Sequence, residues 1–153
     1  MRAVVALRTA TARDLTARFG RGHWSSEATE RGTLYDMRIT QVWVARSGRA
    51  AVATFALGTR KPWAIDRSYF TACERPLYLT SMAVRPDYQG RGVGRRCVEE
   101  ISRIARAWPA DAIRLDAYDG PAGAGDFYAR TGFQHVGSVV YKGNPLVYYE
   151  LVL

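Results

Sequence analysis

The stretch from residue 77 to residue 108 limits what this chain can fold into more than any other part of it. Leu77 to Val84 is nearly continuous in apolar and small residues, the pattern of a strand at the centre of a sheet. A Pro86-Asp87 turn follows, then Gln89-Gly90-Arg91-Gly92-Val93-Gly94-Arg95, with glycine at every second position. From Val93 onward Cys97, Ile101, Ile104 and Trp108 recur at helical spacing, and Pro109 stops the pattern. Glycines free the backbone to approach a ligand closely. A loop that opens a helix also presents unpaired N–H groups to one spot, which favours an anion. A pyrophosphate-bearing ligand is therefore expected here. A Walker loop would need Lys-Ser or Lys-Thr after its last glycine, and Gly94 is followed by Arg95-Arg96. A dinucleotide fingerprint would need G-x-G-x-x-G rather than G-x-G-x-G.

A chain of 153 residues suits one domain, so residues 1–153 are expected to fold as a single unit. Hydrophobic residues at 48% and charged residues at 24% are globular values. No run approaches the roughly 18 apolar residues of a membrane helix. The apolar stretch after Met1 is short and is broken by Arg8, which does not suit a signal peptide. Cys73 and Cys97 have neither metal nor disulfide-framework spacing, so no metal is expected and a reduced, cytoplasmic setting is. The net charge of +8 invites a nucleic-acid reading. Lysine supplies only two of the 22 basic residues, and the arginines are scattered rather than striped with aromatic partners, so nucleic acid is disfavoured as a partner. A basic surface still suits a polyanionic ligand.

Along the chain, residues 3–8 read as a first strand, and Thr9 to about Thr33 as two short helices capped at Thr9 or Thr11 and broken at Gly20-Arg21-Gly22. A hairpin runs from Gln41 to Leu57 through Ser47-Gly48. Gly58 to Pro76 has no period, and a loop of that length in a small domain reads as a binding wall or lid. Ala112 to Tyr118 is a strand, Asp126 to Arg130 a short helix ended by Gly132, and Phe133 to Tyr141 and Leu146 to Leu153 are closing strands around Lys142-Gly143-Asn144-Pro145. The strand–helix–strand at the centre implies a right-handed crossover and parallel strands. The fold class is α+β (mixed α/β).

The run Gln89-x-x-Gly92-x-Gly94 resembles motif A of the GNAT superfamily of N-acetyltransferases. Tyr128-Ala129-Arg130-Thr131-Gly132-Phe133 resembles the Tyr-x-x-x-Gly-Phe element of the same family. The resemblance implies a central mixed, mostly antiparallel sheet of about six to seven strands with splayed parallel central strands, flanked by about four helices. It also implies acetyl-CoA as co-substrate, its pyrophosphate on the loop of Gln89, Gly90, Arg91, Gly92, Val93, Gly94 and Arg95. The backbone of Met82, Ala83 and Val84 would pair with the pantetheine arm. Tyr128 would be the general acid that protonates the departing thiolate. A primary amine of a small molecule or protein would attack directly in a ternary complex.

Two positions depart from the family pattern. Leu79-Thr80-Ser81 carries no glutamate where many relatives place a base, which leaves Glu74 as the candidate base, with Asp116, Asp119, His23 and His135 as further options. Pro121 stands where relatives commonly have an asparagine near the cofactor. Tyr35, Trp63 and Tyr69 are candidate acceptor contacts, with Trp24 and Phe70 as further aromatics and Asp36, Asp66 and Glu74 as partners for a cationic amine. Two alternatives remain open: a non-catalytic acyl-CoA sensor, and an acetyltransferase acting on aminoacyl-tRNA, which would require steep salt dependence. The apolar terminal strand leaves a homodimer open.

Overall fold

The computed structural model describes all residues, Met1–Leu153. Four helices are present: α1 (Arg2–Phe19), α2 (Glu30–Ile39), α3 (Val93–Ala107) and α4 (Gly125–Arg130). The strands are β1 (Gln41–Ser47), β2 (Ala50–Gly58), β3 (Pro76–Val84), β4 (Ala112–Tyr118), β5 (Gln134–Tyr141) and β6 (Asn144–Val152). They form one six-stranded sheet in the order β1-β2-β3-β4-β6-β5. β3 and β4 are parallel; the β1–β2, β4–β6 and β5–β6 pairs are antiparallel. No helix is long and apolar enough to cross a membrane. The chain divides into two compact units, Met1–Leu57 with Ser81–Cys97, and Gly58–Thr80 with Val98–Leu153.

In the first unit the opening differs from expectation. Residues 3–8 belong to α1, not to a strand. Val4, Leu7, Thr11, Leu15 and Phe19 fall three or four apart, and Val4, Leu7 and Ala12 are buried, so the 3.6-residue period wins over the local alternation. The helix starts at Arg2, with Met1 at the N-cap position, so neither Thr9 nor Thr11 caps it; Thr11 Oγ1 instead donates to Leu7 O within the helix. Gly20, at φ 79, ends it. α2 is capped by Thr29, whose hydroxyl accepts from Gly32 N at 3.0 Å. Arg8 of α1 donates to Asp36 of α2 at 2.7 Å. The β1–β2 hairpin turns at Gly48-Arg49, one residue later than expected, because Ser47 still pairs with Ala50. Trp43 stacks on Phe55 across this ladder, and β2 is buried from Val52 to Leu57.

The second unit is built on the β4–β6 ladder. β4 pairs with β6 over its full length, Ala112↔Val152 to Tyr118↔Leu146. Side chains alternate across the two strands. Ile113, Leu115, Val147 and Tyr149 therefore face one side, and Arg114, Asp116, Tyr148 and Glu150 the other. Ile101, Ile104 and Ala105 of α3 are buried, and each fully buried Ile or Leu adds about 1.5–3 kcal/mol. The closing hairpin turns on Lys142-Gly143 alone, both left-handed at φ 48 and 80, so Asn144 and Pro145 belong to β6 rather than to the loop.

Candidate active site

The glycine loop lies in the first unit. After Val84 the backbone N–H of Arg85 donates to Val52 O at 2.8 Å, and Pro86–Tyr88 makes one tight turn. The Gln89 side chain reaches back to donate to Val84 O at 3.0 Å. Gln89 therefore closes the loop onto the end of β3. Gly90 and Gly92 sit at φ 71 and 79, a left-handed backbone that disfavours any other residue, and a Cβ at either position would meet nothing within 4 Å. The third glycine differs: Gly94 lies within α3, where no positive φ is required. Arg96 N is the first amide to bond back, to Gly92 O, so the preceding α3 amides remain available to a ligand.

Charge around the loop is divided. Arg85 holds Asp87 in a two-pronged pair at 2.6 and 2.7 Å, and that hydrogen-bonded guanidinium keeps the Asp87 carboxyl below the usual carboxylate range. Arg85 and Arg91 both lie against the Tyr88 ring, at 4.7 and 5.3 Å from its centre. Arg91 and Arg95 are exposed and form no ion pair, which leaves their charge for an anion. The residues present fit a pyrophosphate group.

β3 itself is irregular. Its parallel ladder to β4 runs only from Pro76↔Ala112 to Tyr78↔Arg114, although both strands continue. Ser81 takes φ 52 in mid-strand, a conformation that costs a non-glycine residue about 1–2 kcal/mol. Met82, Ala83 and Val84 follow this kink. They are half-buried, as backbone-contact residues can be.

Tyr128 lies in the second unit, on α4. Gly132, at φ 100, turns the chain back so that Phe133 N donates to Tyr128 O at 3.1 Å and the Phe133 ring meets the Tyr128 ring edge-on at 5.4 Å. The Gly-Phe pair thus fixes the tyrosine from behind. Phe127 and Tyr149 pack its other sides. Tyr128 is 7% exposed; burial pushes its phenol well above the ordinary value, and the Asp116 charge pushes it further the same way. It therefore keeps its proton at neutral pH, which suits a proton donor rather than a base.

The 59–75 segment is stapled rather than loose. The Tyr148 hydroxyl donates to Ala64 O and accepts from Asp66 N. Arg114 and Glu150, buried at 4% and 2% side-chain exposure, pair at 3.1 Å. Arg114 also donates to Thr71 O and Cys73 Sγ, while Glu150 accepts from Thr71 N. Sequence reasoning missed this pair. Its signal was one charge of each sign flanked on both sides by large apolar residues, Ile113-Arg114-Leu115 and Tyr149-Glu150-Leu151.

The remaining candidates are dispersed. Tyr69 packs edge-on to Tyr148, Trp63 is 82% exposed, and Tyr35 lies exposed on α2 in the other unit. Glu74 is exposed and lines a cavity of about 430 Å³ with Cys73, Arg75, Trp108 and Arg114, where β3 and β4 begin. Tyr128 instead feels Asp116, four residues further along β4 than Ala112 and so about 13 Å from the strand's start. Glu74 and Tyr128 are not brought together.

The family described as the acetyltransferase (GNAT) domain matches residues 38–135, more than half of the chain. A thialysine N-epsilon-acetyltransferase of Bos taurus is 31% identical over 67 residues, 44% of this chain, and the match spans only 39% of that relative's length. An N-acetyltransferase from Staphylococcus aureus Mu50 superposes over 99% of this chain and 91% of its own, with a TM-score of 0.71 at 15% identity. A Bacillus anthracis protein assigned as a streptothricin acetyltransferase, solved with acetyl coenzyme A, superposes over 75% of this chain and 63% of its own, with a TM-score of 0.59 at 21% identity. The glycine loop before α3 and the Tyr-x-x-x-Gly-Phe turn both lie within the matched residues: the chain belongs to the GNAT acetyltransferase family.

Proposed function

We propose that residues 1–153 act as one acetyl-CoA-dependent N-acetyltransferase domain, moving an acetyl group to a primary amine by direct attack. The observation that carries this reading is the 89–95 loop: two left-handed glycines with open space above them, closed by Gln89 onto β3 and leading into the free amides of α3. Acetyl-CoA, when bound, supplies an acyl group activated as a thioester. Loop amides with Arg91 and Arg95 hold its pyrophosphate, and the main chain of Met82, Ala83 and Val84 orients its arm. Tyr128 donates the proton that the departing thiolate takes up. Tyr69 and Trp63 of the stapled segment, and Tyr35 on α2, are the proposed acceptor contacts. Glu74, on its separate cavity, is given no step. The bovine relative's name motivates thialysine as the first amine to try.

The test is calorimetric titration of acetyl-CoA into the wild type, Gly92→Trp/Gly94→Trp and Tyr128→Phe, each checked for fold by circular dichroism. Wild type and Tyr128→Phe are expected to bind alike and the glycine variant not at all. Tyr128→Phe should lose about 10²-fold or more in turnover. A well-folded wild type that binds no acetyl-CoA would overturn the reading.

A further inference from the structure

We propose that the cavity where β3 and β4 begin is an auxiliary binding site for a small zwitterion, a free amino acid with an apolar side chain. Arg67 takes its carboxylate, Glu74 its ammonium group and Trp108 its side chain. The inference goes beyond the transferase reading and does not depend on it.

The cavity lies within the second unit, and its volume of about 430 Å³ falls inside the roughly 300–1,000 Å³ of small-molecule sites. Four charged residues line it: Arg67, Glu74, Arg75 and Arg114. Two of these are matched within the protein. Arg114 spends its Nε and Nη2 on Glu150, Thr71 O and Cys73 Sγ. Arg75 pairs with Asp111 at 3.2 Å, and its backbone N–H donates to the same carboxylate. Arg67 and Glu74 are the other two, and neither side chain forms an ion pair or a hydrogen bond.

The wall thus offers one uncommitted cation and one uncommitted anion. A plain anion would gain Arg67 but meet the like charge of Glu74, and a plain amine would meet the reverse conflict. A zwitterion satisfies both, which makes the pairing selective as well as attractive. The rest of the lining is largely apolar, with half-buried Trp108, Leu77 and Pro109. An indole offers a broad apolar face to a ligand side chain. Trp108 directly follows α3, whose C-terminal end carries partial negative charge and favours an ammonium group nearby.

This cavity is not where the acetyl group is transferred. Tyr128 packs on Tyr149, on the face of the β4–β6 ladder opposite Arg114. A Cβ at Gly125, which opens the same helix, would lie 3.6 Å from Val147 Cγ1. Val147 pairs with Ala117, which puts α4 about 17 Å along β4 from Ala112.

Cys73 supplies a reporter for the test, because it is half-buried and lines the cavity while Cys97 is buried. Alkylation of Cys73 by iodoacetamide is followed by peptide mass mapping in the full chain. The probes are L-phenylalanine, phenylethylamine and phenylpropanoate at millimolar concentration. L-phenylalanine should slow the wild-type reaction in a saturable way. The amine and the acid, each lacking one charge, should bind about tenfold or more weakly. Arg67→Gln should weaken L-phenylalanine by a similar factor and leave phenylethylamine unchanged. Glu74→Gln should weaken it likewise and leave phenylpropanoate unchanged. Both positions are exposed, and circular dichroism checks each fold. Equal protection by phenylpropanoate and L-phenylalanine overturns the zwitterion assignment. Alkylation of well-folded wild type that L-phenylalanine leaves unchanged, or protection that both variants keep in full, overturns the site. Neither result touches the transferase reading, which stands or falls on the acetyl-CoA titration.

Discussion

Gly137 is glycine because of an aromatic ring. It lies at the β5 bulge between His135 and Gly137, and a Cβ there would meet Tyr69 Cδ1 at 2.2 Å, far inside van der Waals contact. Either the strand or the ring must move in Gly137→Ala. Tyr69 is 42% exposed, so the ring swings outward and its edge contact with Tyr148 is lost. The expected cost is about 1–3 kcal/mol, read as a fall in the urea midpoint. In a Tyr69→Ala background the penalty should vanish, because the clash then has no partner. Ser81 shows the converse case, a non-glycine residue held left-handed where glycine would fit without strain. The motif glycines were legible in the sequence because their roles are local. Gly137 was not, since its requirement comes from a residue 68 positions away in the chain.

Among the elements, the 59–75 segment depends on one buried ion pair and one phenol. Arg114 and Glu150 sit opposite each other in the β4–β6 ladder and bind both the N–H and the C=O of Thr71. Removing Arg114 leaves Glu150 buried without its ionic partner, with only the Thr71 N–H still bonded to it. Arg114→Met is therefore expected to destabilise by about 3–5 kcal/mol in denaturant unfolding. Arg114→Met with Glu150→Leu should be milder than Arg114→Met alone, because no lone charge is left in the core. Equal losses in the single and double variants would count against this account. Elements with a clean period were legible: β2, β3, α3 and β4 lie within a residue or so of their expected ends. The first strand was misread because Val4-Val5 suggests a strand over six residues, while the stripe that makes α1 needs eighteen to show itself. The staples on 59–75 were invisible for another reason: they join residues up to 84 apart, and only the folded sheet brings Tyr148 to Ala64.

At the scale of the whole molecule, titration pulls stability down at both ends of the pH range, for opposite reasons. Glu27, Asp66, Asp87, Glu100 and Asp111 are all held below their ordinary values, chiefly by hydrogen bonds from Arg13, Ser68, Arg85, Arg103 and Arg75. A depressed carboxylate contributes stability that is present above its unfolded value, about 4, and is lost as pH falls through the folded one. The +8 net charge then rises with each proton bound, so repulsion adds to the loss. Glu27, Asp66 and Asp87 are exposed and Glu100 and Asp111 half-buried, and screening keeps each contribution small. The alkaline side rests on buried groups instead. Tyr128, Tyr148 and Tyr149 are all raised, in each case first by burial. A raised phenol contributes stability that is fully present below its unfolded value, about 10, and is lost as pH climbs towards the folded one. Tyr128 is the most deeply affected. Urea midpoints measured across a pH series should therefore hold level through neutrality, decline gently below about pH 4, and fall more steeply above about pH 10. Tyr128→Phe should flatten the alkaline fall and leave the acid one alone, since phenylalanine keeps the packing against Phe127, Phe133 and Tyr149 but has no proton to lose. An alkaline limb unchanged in that variant would mean that the Tyr128 phenol ionises as readily in the folded chain as in the unfolded one, and that the steep alkaline fall has another source.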